Sequence, residues 1–234
     1  VNRFFVALFC VLCPLGTAFA ESPIAPFKAD YVTLRNGKEL GRTTIELRAN
    51  KDSTWTLRTT TNGTAGLAKM AGLDVVEESI VRWRDGRPET VTYDFRQDAA
   101  FKQRKRHADF DWSANQVHMT DGDSDARYAL VPATVDRHAL TLALASDLAR
   151  NASVLDYKVA MKDGIEDVRY TRCGDESVTV PAGTYSTSCL ERKREKRTSK
   201  SWFVKSLGWI PVQIEQVENK GDTITLRLAS IKQN

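Results

Sequence analysis

Short runs in which apolar and polar residues alternate, each ended by a turn dipeptide, recur from Phe27 to the C-terminus. Alternation at a period of two sends successive side chains to opposite faces, so each run reads as a half-buried β-strand. Ile45 with Leu47 and Trp55 with Leu57 show the pattern early. Val91, Tyr93 and Phe95 then alternate with Thr92 and Asp94, Phe110 and Trp112 flank Asp111, and Ile224, Leu226 and Leu228 close the chain. Between the runs stand Asn36-Gly37, Asp85-Gly86, Asp121-Gly122, Asp163-Gly164, Cys173-Gly174-Asp175 and Lys220-Gly221-Asp222, spaced as hairpin turns. Strands joined by tight turns are antiparallel, and a long succession of them curls to limit its exposed edges. The expected fold is therefore mainly β: a curved antiparallel sheet forming an incomplete barrel or spiral.

Two segments break the alternation. Over 136–151, Ala139, Leu140, Ala143, Leu144 and Leu148 fall at helical spacing, and Asp136 can cap the first turn. Leu142 and Ala145 widen the stripe almost all round, which predicts a helix buried on most of its surface, plugging the hollow of the sheet. The stretch 62–73 is rich in Gly and Ala, with Leu67, Met70 and Leu73 three residues apart. It reads either as a connection with one helical turn packed on the core or as an apolar lid, where Met suits a variable ligand shape.

The first twenty residues have the order of an export signal. Arg3 precedes an apolar run over 4–15, and Ala18-Phe19-Ala20 supplies small residues at a cleavage site. The run is shorter than the about 20 residues that a membrane span needs, and Pro14 and Gly16 interrupt it. The expected organisation is a cleavable signal at 1–20 and a single β-rich domain at 21–234, in the periplasm and soluble after cleavage. With 34 basic and 30 acidic residues, the net charge of +4 is too slight to point to nucleic acid. Cys10 and Cys13 would leave with the signal, and Cys173 and Cys189 would remain in an oxidising compartment. That pair lacks Cys-x-x-Cys spacing and a neighbouring His, so a structural disulfide is expected rather than a metal or redox site.

No motif for catalysis or cofactor binding is present. His107, His118 and His138 have no zinc spacing, there is no Gly-x-Ser-x-Gly elbow, and no glycine-rich phosphate loop opens a helix. Each histidine is expected on a solvent face, and no cofactor is expected. Two basic clusters occupy 102–107 and 192–200. The second, with Arg192, Arg194 and Arg197, reads as a solvated projecting hairpin or as a contact for an anionic membrane surface or an acidic partner.

The C-terminal third holds Val180-Pro181-Ala182-Gly183-Thr184-Tyr185, then Trp202-Phe203, then Gly208-Trp209-Ile210-Pro211-Val212. In this order, and with the order of elements over nearly the whole chain, these segments resemble the bacterial envelope family known as domain of unknown function 3108. The resemblance implies a periplasmic β-rich protein. It also implies an architectural likeness to curved-sheet envelope proteins that hold lipoprotein acyl chains and to spiral-sheet proteins that support envelope integrity. The cysteine pair departs from the pattern of that family. Pro181 and Gly183 suit a tight connection, and Gly208 and Pro211 bracket a second turn, so the motif residues read as architectural.

Two functions from different classes follow as expectations. One is a carrier that holds an apolar ligand, a lipid or acyl group, in a half-open barrel, with Leu67, Met70, Leu73, Leu140 and Leu144 as candidate ligand contacts. The other is a non-enzymatic envelope scaffold that binds another envelope protein through Arg192, Arg194 and Arg197. A hydrolase is the remaining alternative, and a histidine and a carboxylate converging in a cleft would be its sign.

Overall fold

In the computed structural model, which describes residues 22–100, 102–195, 197–218 and 221–233, the first and last strands are neighbours. The export signal expected at 1–20 lies outside the described residues. Strand β1 (Phe27–Arg35) pairs on one side with β2 (Lys38–Ala49) and on the other with the C-terminal strand of the chain. An N-terminal meander continues from β2 through β3 (Trp55–Gly63), β4 (Asp74–Arg84), β5 (Arg87–Asp98), β6 (Arg104–Asp111) and β7 (Gln116–Asp121) to β8 (Ser124–Ala129). A short helix, α1 (Gly66–Met70), joins β3 to β4.

The central part of the chain crosses between the meanders as β9 (Thr134–Asp136), α2 (Leu140–Ala149), β10 (Asp156–Met161) and β11 (Gly164–Arg169). The C-terminal meander is β12 (Thr171–Val180), β13 (Gly183–Arg194), β14 (Arg197–Val204), β15 (Ile210–Val217) and β16 (Thr223–Gln233). The pairing of β1 with β16 fuses both meanders into one 13-stranded antiparallel sheet whose edges are β12 and β8, so the sheet does not close. The expected mainly-β fold with an incomplete barrel is what forms. A separate three-stranded sheet, β11-β10-β9, adds a parallel pair that the alternation did not predict, because β9 is three residues long.

Local chemistry explains the elements. In β1, Phe27, Ala29, Tyr31 and Thr33 are buried at every second position. Asn36-Gly37 and Asp85-Gly86 both have positive φ at their two residues (50° and 75°, 52° and 71°), the backbone of the two-residue hairpin turn. Cys173-Gly174-Asp175 behaves otherwise than expected. It lies inside β12, where the register slips between Arg172 and Gly174 and Gly174 takes φ 106°, so the turn signal marks a bulge. Cys173 is bonded there to Cys189 of β13, with Cα atoms 5.1 Å apart, and the edge strand is thereby stapled to its neighbour.

Eight of the ten residues of α2 are buried. Leu142, Leu144 and Leu148 pack in one core with Tyr31, Leu47 and Leu57 of the N-terminal meander and with Phe203, Val212 and Leu228 of the C-terminal one. The helix is shorter than the expected 136–151, because Asp136 belongs to β9 and its carboxylate ties down the turn that precedes the helix. The α1 turn also differs from the core-packed version of its expectation. Ala68 is buried, whereas Leu67 and Met70 are 81% and 82% exposed.

Candidate functional site

The concave face of the sheet carries an apolar cleft of about 210 Å³ beside the start of α2. Phe27, Tyr31, Ile45 and Leu57 come from β1–β3, Ile214, Ile224 and Leu226 from β15 and β16, and Leu142 from the helix. Thr59, Glu77, Arg137, His138, Thr141 and Gln216 are its polar lining. The volume falls below the roughly 300–1,000 Å³ of sites that enclose a drug-sized molecule. Tyr31 closes the floor by donating its hydroxyl to the Pro211 carbonyl at 2.8 Å, and burial pushes its phenol well above the ordinary range.

Next to this cleft lies a second recess of about 400 Å³ between β13–β15 and β10. Leu140, Val159, Met161 and Tyr170 form its apolar lining, and Arg137, Arg192, Arg194 and Arg197 its cationic one. Arg137 and Gln216 line both spaces, so the two adjoin. Strand register shows why. Arg192, Ser199, Gln216 and Ile224 face one another across β13 to β16, and Leu190, Ser201, Ile214 and Leu226 make the adjacent same-face row. A row that is polar up to Ile224 and a row that is apolar except at Ser201 thus lie side by side on one surface.

The arginines do not stand free in solvent. Arg194 meets Glu166 at 2.7 Å and Arg192 the same carboxylate at 3.7 Å, while Arg197 meets Glu218 at 3.3 Å. Arg137 reaches Glu77 at 3.4 Å and lies over the Phe95 ring. The tip of the β13–β14 hairpin is solvent-exposed at Arg194 and Arg197, and Glu166 of β11 pairs with two of its guanidinium groups beside the recess.

A buried polar relay supports the polar side of the cleft. Asp136 is fully buried and accepts hydrogen bonds from the Ser79 hydroxyl (2.9 Å), the Thr90 hydroxyl (2.8 Å) and the backbone N–H groups of His138 and Ala139 (2.7 and 2.9 Å). Burial still dominates and raises its carboxyl above the ordinary range, against the pull of His138 and the hydrogen bonds. With the Ser79 proton given to Asp136, the serine lone pairs face His138 Nδ1 at 2.9 Å, so that nitrogen carries a proton. In the neutral ring Nε2 then accepts from the Thr59 hydroxyl at 2.8 Å. His138 is therefore part-buried and held on both sides, not on a solvent face as expected. A histidine and a carboxylate do converge at a cleft, yet Ser79 between them is fully buried and its proton is committed to Asp136.

The other candidates are placed as follows. Leu140 lines the arginine recess, and Leu144 is sealed in the core. Leu67 and Met70 are on α1 and line neither space, as is the case for half-buried Leu73. His107 and His118 are on strands β6 and β7, each beside aspartates. Glu77, Thr59 and Arg137 escaped the sequence reading. The signal that could have found them is Asp136-Arg137-His138, three polar residues directly before a helix that is apolar all round. Among the described residues no three His, Cys, Asp or Glu side chains gather as metal ligands, and no helix is long and apolar enough to cross a membrane.

The family motif sits in turns and core. Gly183 and Gly208 take positive φ (137° and 68°), Trp202 Nε1 donates to Glu176 at 2.6 Å, and Pro211 supplies the carbonyl for Tyr31.

The architecture is similar to the crystal structure of a β-barrel-like protein of domain of unknown function DUF1849 from Brucella abortus. That comparison has 9% identity, covers 90% of this chain and 98% of the other, and gives a TM-score of 0.56. At such identity the likeness is one of fold. MucB aligns more loosely, with 12% identity over 90% of this chain and 54% of MucB and a TM-score of 0.35. No curated protein sequence matches the chain. The sequence model of the family described as protein of unknown function (DUF3108) matches residues 27–229.

Proposed function

The chain belongs to the DUF3108 family of proteins of unknown function, and from the geometry of this member we propose a non-enzymatic carrier of the bacterial cell envelope that holds one acyl chain in the concave cleft. The observation that carries the reading is the lining of that cleft by apolar side chains from five strands and α2, with Thr59, Glu77, Arg137, His138, Thr141 and Gln216 as its polar groups. Burying apolar ligand surface there gains roughly 25 cal/mol per Å². The relay from Asp136 to Thr59 ties the start of α2 to β3 and β4 beside the cleft. Export through the segment at 1–20 would deliver the carrier to the envelope.

The test is native mass spectrometry of protein purified from the periplasm, together with titration by the fluorescent fatty acid cis-parinaric acid. A co-purifying acyl adduct and saturable probe binding are expected. Ile214→Trp, which fills the cleft with an indole, should abolish both. A protein without adduct that also leaves the probe unbound ends this reading.

A second reading rests on the Thr59 hydroxyl at His138 Nε2. A hydroxyl on an imidazole whose other nitrogen is fixed is the order of groups used in acyl transfer. It requires that p-nitrophenyl butyrate be hydrolysed and that Thr59→Val stop the reaction. Hydrolysis unchanged by that substitution removes it.

A further inference from the structure

We infer that the arginine-lined recess is the head-group site of the same ligand, so that the protein takes an anionic amphiphile, with its chain in the cleft and a phosphate or carboxylate among Arg137, Arg192, Arg194 and Arg197. This rests on the acyl-carrier reading and adds the chemistry of the ligand's other end. Three observations support it.

The first is continuity. Arg137 and Gln216 border both spaces, and the rows Arg192-Ser199-Gln216 and Leu190-Ser201-Ile214 are neighbours on one face of the sheet. A molecule lying across them meets apolar side chains at one end and guanidinium groups at the other.

The second is charge. Four arginines face Glu77, Glu166 and Glu218, and Glu166 serves both Arg192 and Arg194. Among the described residues these four arginines thus share three carboxylates, and a bound anion would add to the negative charge they meet.

The third is exchangeability. The side chains of Arg194 and Arg197 are 56% and 60% exposed. Ion pairs of this kind contribute about 0–1 kcal/mol, so little opposes turning the same guanidinium groups onto a ligand. Arginine forks bind phosphate or carboxylate through two parallel hydrogen bonds, a stronger contact than the single ones they hold here. The apolar walls, Met161 and Tyr170 among them, lower the local dielectric and strengthen the attraction.

The experiment is calorimetric titration of the full mature protein with dodecyl phosphate, dodecanol and inorganic phosphate. Dodecyl phosphate should bind about tenfold tighter than dodecanol, with the preference falling as salt is added. The double variant Arg192→Gln/Arg197→Gln should remove that preference and leave dodecanol binding unchanged. Ser199→Glu, which adds a carboxylate to the polar row, should do the same from a different residue, and thermal melts establish that both variants fold. Equal affinity for the two chains, or a preference that survives both variants, overturns the head-group site while the acyl cleft stands. Inorganic phosphate binding as tightly as dodecyl phosphate overturns the joined ligand in favour of a separate anion site. Failure of both chains to bind overturns the carrier reading and this inference with it.

Discussion

The Ser79 hydroxyl stands 2.9 Å from His138 Nδ1 and donates at 2.9 Å to Asp136, so one buried oxygen joins strand β4 to the turn that starts helix α2. Because Asp136 satisfies four donors, Asp136→Ala should lower stability by roughly 3 kcal/mol or more, read from urea midpoints. Asp136→Asn keeps a carbonyl oxygen for three of those donors and should cost less at neutral pH. The sign of the pH dependence follows from burial, which raises the carboxyl in the folded state. The native advantage of the protonated acid is complete below about pH 4 and is lost as pH rises through the folded value. The wild type should therefore lose ground against Asp136→Asn as the pH is raised from 4 to 7.

Asp121 should show the opposite sign. Hydrogen bonds from Arg104 and Arg106 outweigh its desolvation and lower its carboxyl to about 2. Its contribution is present above about pH 4 and disappears as pH falls through 2. Asp121→Asn should cost roughly 1–2 kcal/mol at pH 7, and that cost should vanish near pH 2. A cost independent of pH would mean that the pairing with Arg104 and Arg106 contributes nothing.

The Cys173–Cys189 disulfide closes a loop of sequence separation 16 at the sheet edge. Reduction, or the Cys173→Ser/Cys189→Ser pair, should lower stability by about 3 kcal/mol. Because β12 has only β13 as a sheet neighbour, hydrogen exchange should accelerate most in 171–180. Uniform acceleration across the sheet would contradict a local staple.

Gly41 should tolerate no side chain. A Cβ there would lie 2.0 Å from the carbonyl oxygen of Asn62 on the adjacent strand, so Gly41→Ala forces β2 and β3 apart. A loss of about 1–3 kcal/mol is expected from thermal melts. Gly164→Ala, where a Cβ meets nothing within 4 Å, is the control and should change stability by less than about 1 kcal/mol.

Leu67→Ser and Met70→Ser should leave stability within about 0.5 kcal/mol of wild type, since both side chains face solvent. Binding of cis-parinaric acid should also be unchanged. A clear loss of binding would show that α1 closes over the cleft as a lid.

The strands were legible because their signals are local. Alternation assigned Tyr93, Phe110 and Leu228 to the buried face, and all three are buried. The site was less legible. Leu140 and the arginines 192, 194 and 197 read in sequence as residues of two separate roles, and nothing in their spacing says that they border one recess. The sequence puts His138 on a solvent face, because a histidine before a helix carries no sign of what lies above it. Ser79 and Thr59, which hold it, are 59 and 79 residues away in the chain.

The chain by itself determined which stretches are extended, where Asn36-Gly37 and Asp85-Gly86 reverse it, that α2 is apolar on nearly every side, and that Cys173 and Cys189 are placed to pair. Each depends on the covalent neighbours of a residue, through side-chain period and backbone freedom. Tertiary structure decided that β1 pairs with β16, that β9 and β10 form a parallel pair, that Asp136 is buried beneath Ser79 and Thr90, and that guanidinium groups border an apolar cleft. Alternation fixes the face a side chain takes but not the strand that will lie beside it. That choice is made by register and burial between segments far apart in sequence.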